Sequence, residues 1–337
     1  MKKNTLFLIL TILLLCLFTS CDDTGVFDSI RNSEPVSNEN TNQVIALKDN
    51  LIYYVTQIDG LKSYDITSKA TTTLSTDNAF KSSKVAVLSG DYIVSYDNSS
   101  FTVYSITNKT IFTATATDTS ILSKIRKGNN NLFYMIDGTY TVTVDETKKE
   151  LTFTKAGSTE NTNFISVYNG VYTYGTIDSN DTITVSSYYT SKDGTTYNKA
   201  VFDGVSSAND LGTFITATED HKYLFFVKDS KTVIYSSDDQ INYTKLKTLS
   251  STYFGAPATT AAKAIATEGT IVLMKGTSYI TTSTTKDDDK VNSSSLSYDT
   301  IIGIVSDSAS SKYYIVTFNS GIHTMSVDDT KHEITIS

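Results

Sequence analysis

The chain has 337 residues, with 36 Asp+Glu against 28 Lys+Arg for a net charge of -8, and arginine only at Arg31 and Arg126. Scattered lysine on an acidic chain gives no basic stripe to track phosphates, which excludes nucleic acid as a partner. Tryptophan is absent and the two cysteines, Cys16 and Cys21, lie at the start, so the rest of the chain has no thiol for a disulfide, a zinc cluster or a cysteine nucleophile.

In chain order, Met1-Lys2-Lys3 precede an apolar run from Leu6 to Phe18, followed by Thr19-Ser20-Cys21 and then Asp22-Asp23. A positive start, a short apolar stretch and small residues before a polar break make a secretory signal. The run is shorter than the ~20 residues a spanning helix needs. Leu17-Phe18-Thr19-Ser20-Cys21 resembles the lipobox of bacterial lipoprotein precursors, with Phe18 where that family more often has Leu. The resemblance implies that the Cys21 thiol is diacylglycerylated, that residues 1–20 are removed, and that the new amine is acylated. Acyl chains, at ~0.8 kcal/mol per buried CH2, would then hold the protein on a membrane. The expected location is the bacterial cell envelope, at the outer membrane or cell surface rather than the inner membrane.

Residues 21–43 are poor in apolar side chains, rich in Asn, Ser and Glu, and contain Pro35; they read as a flexible tether. From residue 44 to residue 337 one pattern returns. Each copy has a short apolar strand, a turn, a Tyr-rich apolar strand, and two alternating Thr/Ser-rich strands. The second strands begin at Leu51, Tyr92, Leu132, Val171, Tyr223, Ile271 and Tyr313, with spacings of 41, 40, 39, 52, 48 and 42 residues. A period near 40 with four strands per copy predicts an all-β, seven-bladed β-propeller of four-stranded blades, with six or eight blades as alternatives.

The first strands mix large β-formers with small residues, as in Val85-Ala86-Val87-Leu88 and Ile302-Gly303-Ile304-Val305. Crowding near a propeller axis requires that mixture. Around Ser123-Lys124-Ile125-Arg126 the third unit departs from it. The first unit opens with an inner strand near Val44 and the last strand runs from His332 to Ser337. Each blade is therefore expected from one continuous segment, and packing between the first and last has to close the ring unless the tether donates a strand.

Two turns resemble the Asp-box of neuraminidase-type repeats, Ser-x-Asp-x-Gly-x-x-aromatic. One is Ser236, Asp238 and Tyr243, with Gln240 for Gly; the other, Ser191, Asp193 and Tyr197, is one residue shorter. The resemblance implies turns that support the fold without catalysing anything. A sialidase grips its substrate carboxylate with three arginines, and this chain has two, one of them in the tether. No Gly-x-Ser-x-Gly occurs, and His221, His323 and His332 fall in different units as turn or surface residues. Asp178-Ser179-Asn180-Asp181 and Asp287-Asp288-Asp289 offer oxygens to calcium, but neither completes a loop spacing, so no metal site and no cofactor are expected.

Turns between second and third strands should share one face. They carry Asp59, Asp97, Asp137, Asp178, Asp181, Asp229 and Asn319, a shallow polar rim suited to a protein or glycan partner, and equally good β-turns. The expected function is a monomeric, membrane-anchored, non-catalytic binding or scaffolding module whose only specific chemistry is lipid attachment at Cys21. The alternative is a carbohydrate-active hydrolase using two carboxylates on the propeller face.

Overall fold

The computed structural model describes residues 39–129, 131–158, 163–249, 262–286, 291–296, 299–307 and 310–337. The expected leader, Cys21, most of the expected tether and Asp287-Asp288-Asp289 lie outside the described residues.

Every unit is an antiparallel meander whose first strand lies at one edge. In the first unit the order is Thr41–Lys48, Leu51–Thr56, Gly60–Asp65, Thr71–Ser75. Second strands such as Leu51–Thr56 and Thr270–Lys275 are buried on both faces, which is why they read as unbroken runs of β-branched and aromatic residues. Fourth strands such as Thr71–Ser75 and Val291–Ser295 are largely exposed, and Thr and Ser supply β-propensity there without apolar surface.

The strands form six sheets, four of them four-stranded. The fifth unit gains a strand when Val201–Phe202 pairs parallel with Asn242–Thr248. An eight-stranded sheet joins the second and third meanders through one short parallel seam, Thr115 to Glu150 and Ala116 to Leu151.

Inner strands of the first two units run side by side in the same sense. Asn42 donates to the Ser83 carbonyl at 2.8 Å, Gln43 exchanges two bonds with the Ala86 backbone, and Lys48 donates to the Gly90 carbonyl at 2.8 Å. The crowding is tight enough that a Cβ on Gly128 would fall 2.6 Å from Val85 Cγ1, and one on Gly303 2.6 Å from Val44 Cγ2.

Apolar clusters join neighbouring units. Val85, Phe101, Phe133 and Leu151 bind the second to the third, and Ile265, Met274, Ile315 and Met325 the sixth to the last. Ile52 of the first unit packs with Val305, Tyr314 and Val316 of the last, so the chain closes on itself. The Glu39 and Thr41 N–H groups add bonds to the Asn319 and Phe318 carbonyls at 3.2 and 2.8 Å. Thr41, Asn42 and Gln43, assigned to the tether from sequence, belong to the first strand. Each meander still comes from one continuous segment.

In the third unit the inner strand is Ile125–Asn129, later than the Ser123 to Arg126 region, because a 3-10 turn over Thr119–Ser123 is capped by Asp118. A four-residue helix, Asn78–Lys81, buries Phe80; one turn is too short to show a helical period in sequence.

Candidate functional site

Inner strands of all the units frame a cavity of about 980 Å3. Because the same meander repeats, residues that open the inner strands gather at one mouth, and the turns that follow those strands gather at the other. Lys84 stands just before its inner strand, Lys263 begins its own and Lys127 is the middle residue of Ile125–Asn129, while Asp193, Glu219 and His221 lie in turns; all six line the cavity. Lining the cavity are five lysines and two carboxylates, a local reversal of the chain's net charge of -8.

Lys263 is half-buried and its ammonium lies 5.9 Å from the Tyr168 ring centroid, within cation–π reach. Burial, with the positive charge of Lys127 behind it, pushes the Lys263 ammonium down to about 8. Tyr168 is fixed by donating to the Ala262 carbonyl at 2.6 Å, and the Thr216 hydroxyl donates to the same oxygen at 3.0 Å. Asn169 donates to the Thr216 hydroxyl at 2.6 Å, so three consecutive units hold the platform beneath Lys263.

His221, in a turn lining the cavity, is buried, not a surface residue. Its Nδ1 lies 2.5 Å from the Ser191 carbonyl and its Nε2 2.8 Å from the Asn169 carbonyl. It thereby staples the fourth unit to the fifth. His332 contacts the Thr270 hydroxyl and His323 sits in the strand Ile322–Asp328; these two share the last unit, not different units as the sequence suggested, while His221 belongs to the fifth.

The Asp193 carboxylate accepts from the Thr195 and Thr196 N–H groups, each at 2.8 Å, and from the Ser191 hydroxyl at 3.0 Å. Those bonds hold it well below the usual carboxylate range. In the second box the register is one residue later than the sequence match: Ser237 and Asp239 take the roles assigned to Ser236 and Asp238. Ser237 donates to Asp239 at 2.7 Å, and Asp239 accepts from the Ile241 and Asn242 N–H groups. Asp238 instead points to solvent, paired with Lys222.

The two boxes then share one spacing, because Gln240 and Gly194 both occupy the left-handed position after the aspartate, at φ 59° and 71°. Tyr243 packs beneath its box and donates to the His221 carbonyl at 2.7 Å, while Tyr197 is buried against Tyr172. Since the folded carboxyl of Asp193 titrates below its unfolded value near 3.9, its contribution is complete above that pH and is lost as pH falls through the folded value. Asp193→Ala is expected to lower the melting temperature at pH 7 by about 1–3 °C after solvent screening. As pH falls below about 4 the gap from wild type should narrow progressively; a gap independent of pH would contradict the assignment.

None of Asp59, Asp97, Asp137, Asp178, Asp181, Asp229 or Asn319 lines the cavity. They share the face of the second-to-third-strand turns, where most of them serve their own turns. Asp97 accepts from Ser99 and Ser100, Asp178 from the Asn180 and Thr182 N–H groups, and Asp59 pairs with Lys62. Tyr140 donates to Asp137 at 3.0 Å, and Asp181 and Asp229 adopt positive φ. The Asn319 N–H is held by the buried Asp299 carboxylate, a residue that the sequence reading missed.

Among the described residues no group of three or more His, Cys, Asp or Glu could hold a metal ion. Sequence reasoning also missed Lys84, Lys127 and Lys263. A usable signal existed for two of them, since Lys84 and Lys263 each stand one residue before the apolar inner-strand pattern of their unit.

No protein-family model matches the chain. No curated protein matches it by sequence. Among solved structures, YCF48 bound to a D1 peptide is similar with a TM-score of 0.51 and 12% identity, over 87% of this chain and 93% of that one. The fold is that of a β-propeller. Streptogramin B lyase, with a TM-score of 0.48 and 10% identity, matches over 90% of this chain and 96% of its own. The β-propeller domain of Myceliophteria thermophila Cps50 (Swd1), with a TM-score of 0.47 and 9% identity, matches over 90% and 98%. At these identities the likeness concerns the fold alone.

Proposed function

We propose that this chain is a lipid-anchored, seven-bladed propeller of the bacterial cell envelope that binds or scaffolds a protein or glycan partner without catalysis. Dividing the eight-stranded sheet at its two-residue parallel seam gives seven four-stranded meanders, in keeping with the sequence repeat. The anchor rests on the lipobox resemblance and Cys21.

The observation that carries the non-catalytic reading is the state of the cavity carboxylates. A glycoside hydrolase needs two carboxyl groups about 5–10 Å apart, one of them a proton donor with a raised pKa. Of the two that line the cavity, Asp193 is committed to its own turn and held far too acidic to donate a proton. YCF48 was solved with a peptide bound, so the same architecture accommodates a peptide; selectivity here must come from the residues of this chain.

The test uses the full chain and its Cys21→Ala variant in bacteria fed labelled palmitate. Wild type is expected to take up label and fractionate with membrane, and the variant to do neither. Purified wild-type protein should release no sugar from a panel of envelope glycans. Equal labelling of both proteins would remove the anchor, and glycan cleavage would replace binding with hydrolysis.

A further inference from the structure

An acidic chain that collects unpaired cations in its central opening keeps a standing electrostatic cost there. Lys127 immediately precedes Gly128, whose missing Cβ leaves the backbone against Val85, Val87 and the Ala86 carbonyl. That contact sets Lys127 level with the start of the second unit's inner strand, beside Lys84. The Lys84 N–H bonds the Tyr96 carbonyl at 2.9 Å, which fixes its backbone just before the strand Val85–Ser89. Lys263 comes from the sixth unit and Lys127 from the third, so they reach the opening from separated parts of the ring.

Among the described residues no carboxylate pairs with Lys84, Lys127 or Lys263, whereas Lys48 in the same cavity pairs with Asp91 at 2.5 Å. Both cavity carboxylates, Asp193 and Glu219, lie in turns.

We propose that the lysine-lined channel is a binding site for a compact polyanionic group, of pyrophosphate or tricarboxylate type, gripped by Lys127 and Lys263 with Lys84 at its edge. This rests on the reading of the propeller as a binding module and names the chemistry that its channel takes. An anion there offsets the excess of lysine over carboxylate in the cavity lining, and the channel wall limits competing water and salt. The Tyr168 ring, its hydroxyl tied to the Ala262 carbonyl, holds Lys263 within the channel. Three lysines act as point charges without the planar fork of arginine, so charge density and size should govern selection more than exact shape.

The test is calorimetric titration of the full chain, in uncharged detergent at low salt, with inorganic pyrophosphate and separately with citrate. One-to-one saturable binding of at least one is expected, and the stronger of the two identifies phosphate or carboxylate chemistry. Lys127→Gln and Lys263→Gln should each weaken binding about tenfold, Lys127→Arg should retain it, and Lys228→Gln, remote from the cavity, should leave it unchanged. Binding should also weaken as salt rises. Absence of binding by both anions in the low millimolar range, or undiminished binding in both glutamine variants with native melting curves, would overturn the site. Neither result touches the palmitate and glycan measurements, which judge the anchored binding module separately.

Discussion

Phe226→Ala is expected to lower stability by about 3–5 kcal/mol, which in a domain of this size moves the melting midpoint down by about 5–10 °C. Phe226 is fully buried on the second strand of the fifth unit. Its ring lies 5.4 Å from Tyr188 of the preceding unit, and 5.7, 5.6 and 5.7 Å from Phe202, Phe214 and Tyr235. All four pairs are edge-on, the arrangement favoured by the ring quadrupole and worth about 0.5–1.5 kcal/mol beyond area burial.

Truncation removes several such pairs and leaves a cavity walled by rings that cannot collapse inward without losing their other partners. Ile111→Ala, at a side chain 41% exposed, should by contrast change stability by less than about 0.5 kcal/mol. Denaturant unfolding of both variants against wild type measures the difference. Equal midpoints for the two would mean that the aromatic cluster does not hold the fourth and fifth units together.

The placement of that cluster also explains what the sequence reveals. A strand buried on both faces has to be apolar at nearly every position, so Leu51–Thr56, Tyr92–Tyr96 and Tyr223–Lys228 stand out without an alignment. Inner strands are harder to read. In Ile125–Asn129 three of the five residues are Arg126, Lys127 and Gly128, because one face looks into the channel and Gly128 lies against Val85 and Val87.

Box register was ambiguous for a different reason. Ser236-Ser237 and Asp238-Asp239 allow two alignments, and the bonds of Ser237 and Asp239 with the left-handed backbone at Gln240 decide between them. The channel lysines were hidden because a repeat fixes which residues open each inner strand, while the charge they assemble depends on how far apart the strands stand around the axis. The tyrosines pack the sheets: Tyr54, Tyr172, Tyr174, Tyr188 and Tyr243 are each less than 3% exposed.

Lys62→Met should be about as damaging as loss of Phe226, through charge instead of volume. The Lys62 ammonium, on a side chain only 8% exposed, lies 2.9 Å from the Glu39 carboxylate and 3.2 Å from that of Asp59. Glu39 is itself largely buried, and its N–H bonds the Asn319 carbonyl of the last unit. The ion pair therefore sits where the first unit meets the last. With the cation removed, the Glu39 carboxylate stays buried and uncompensated, and breaking a buried pair from one side costs about 3–5 kcal/mol.

Tyr54 reports on the same charge, since burial and then Glu39 push its phenol well above the ordinary tyrosine range. In the double variant Glu39→Gln/Lys62→Met no buried charge is left unpaired, so much of the loss should return. Amide exchange at Thr41, whose N–H crosses to the Phe318 carbonyl at 2.8 Å, should accelerate in the single variant more than exchange at Val94 in the second unit. If single and double variants melt together, or if Thr41 and Val94 lose protection equally, the pair contributes to general stability and the ring is closed by the cluster of Ile52, Val305, Tyr314 and Val316 alone.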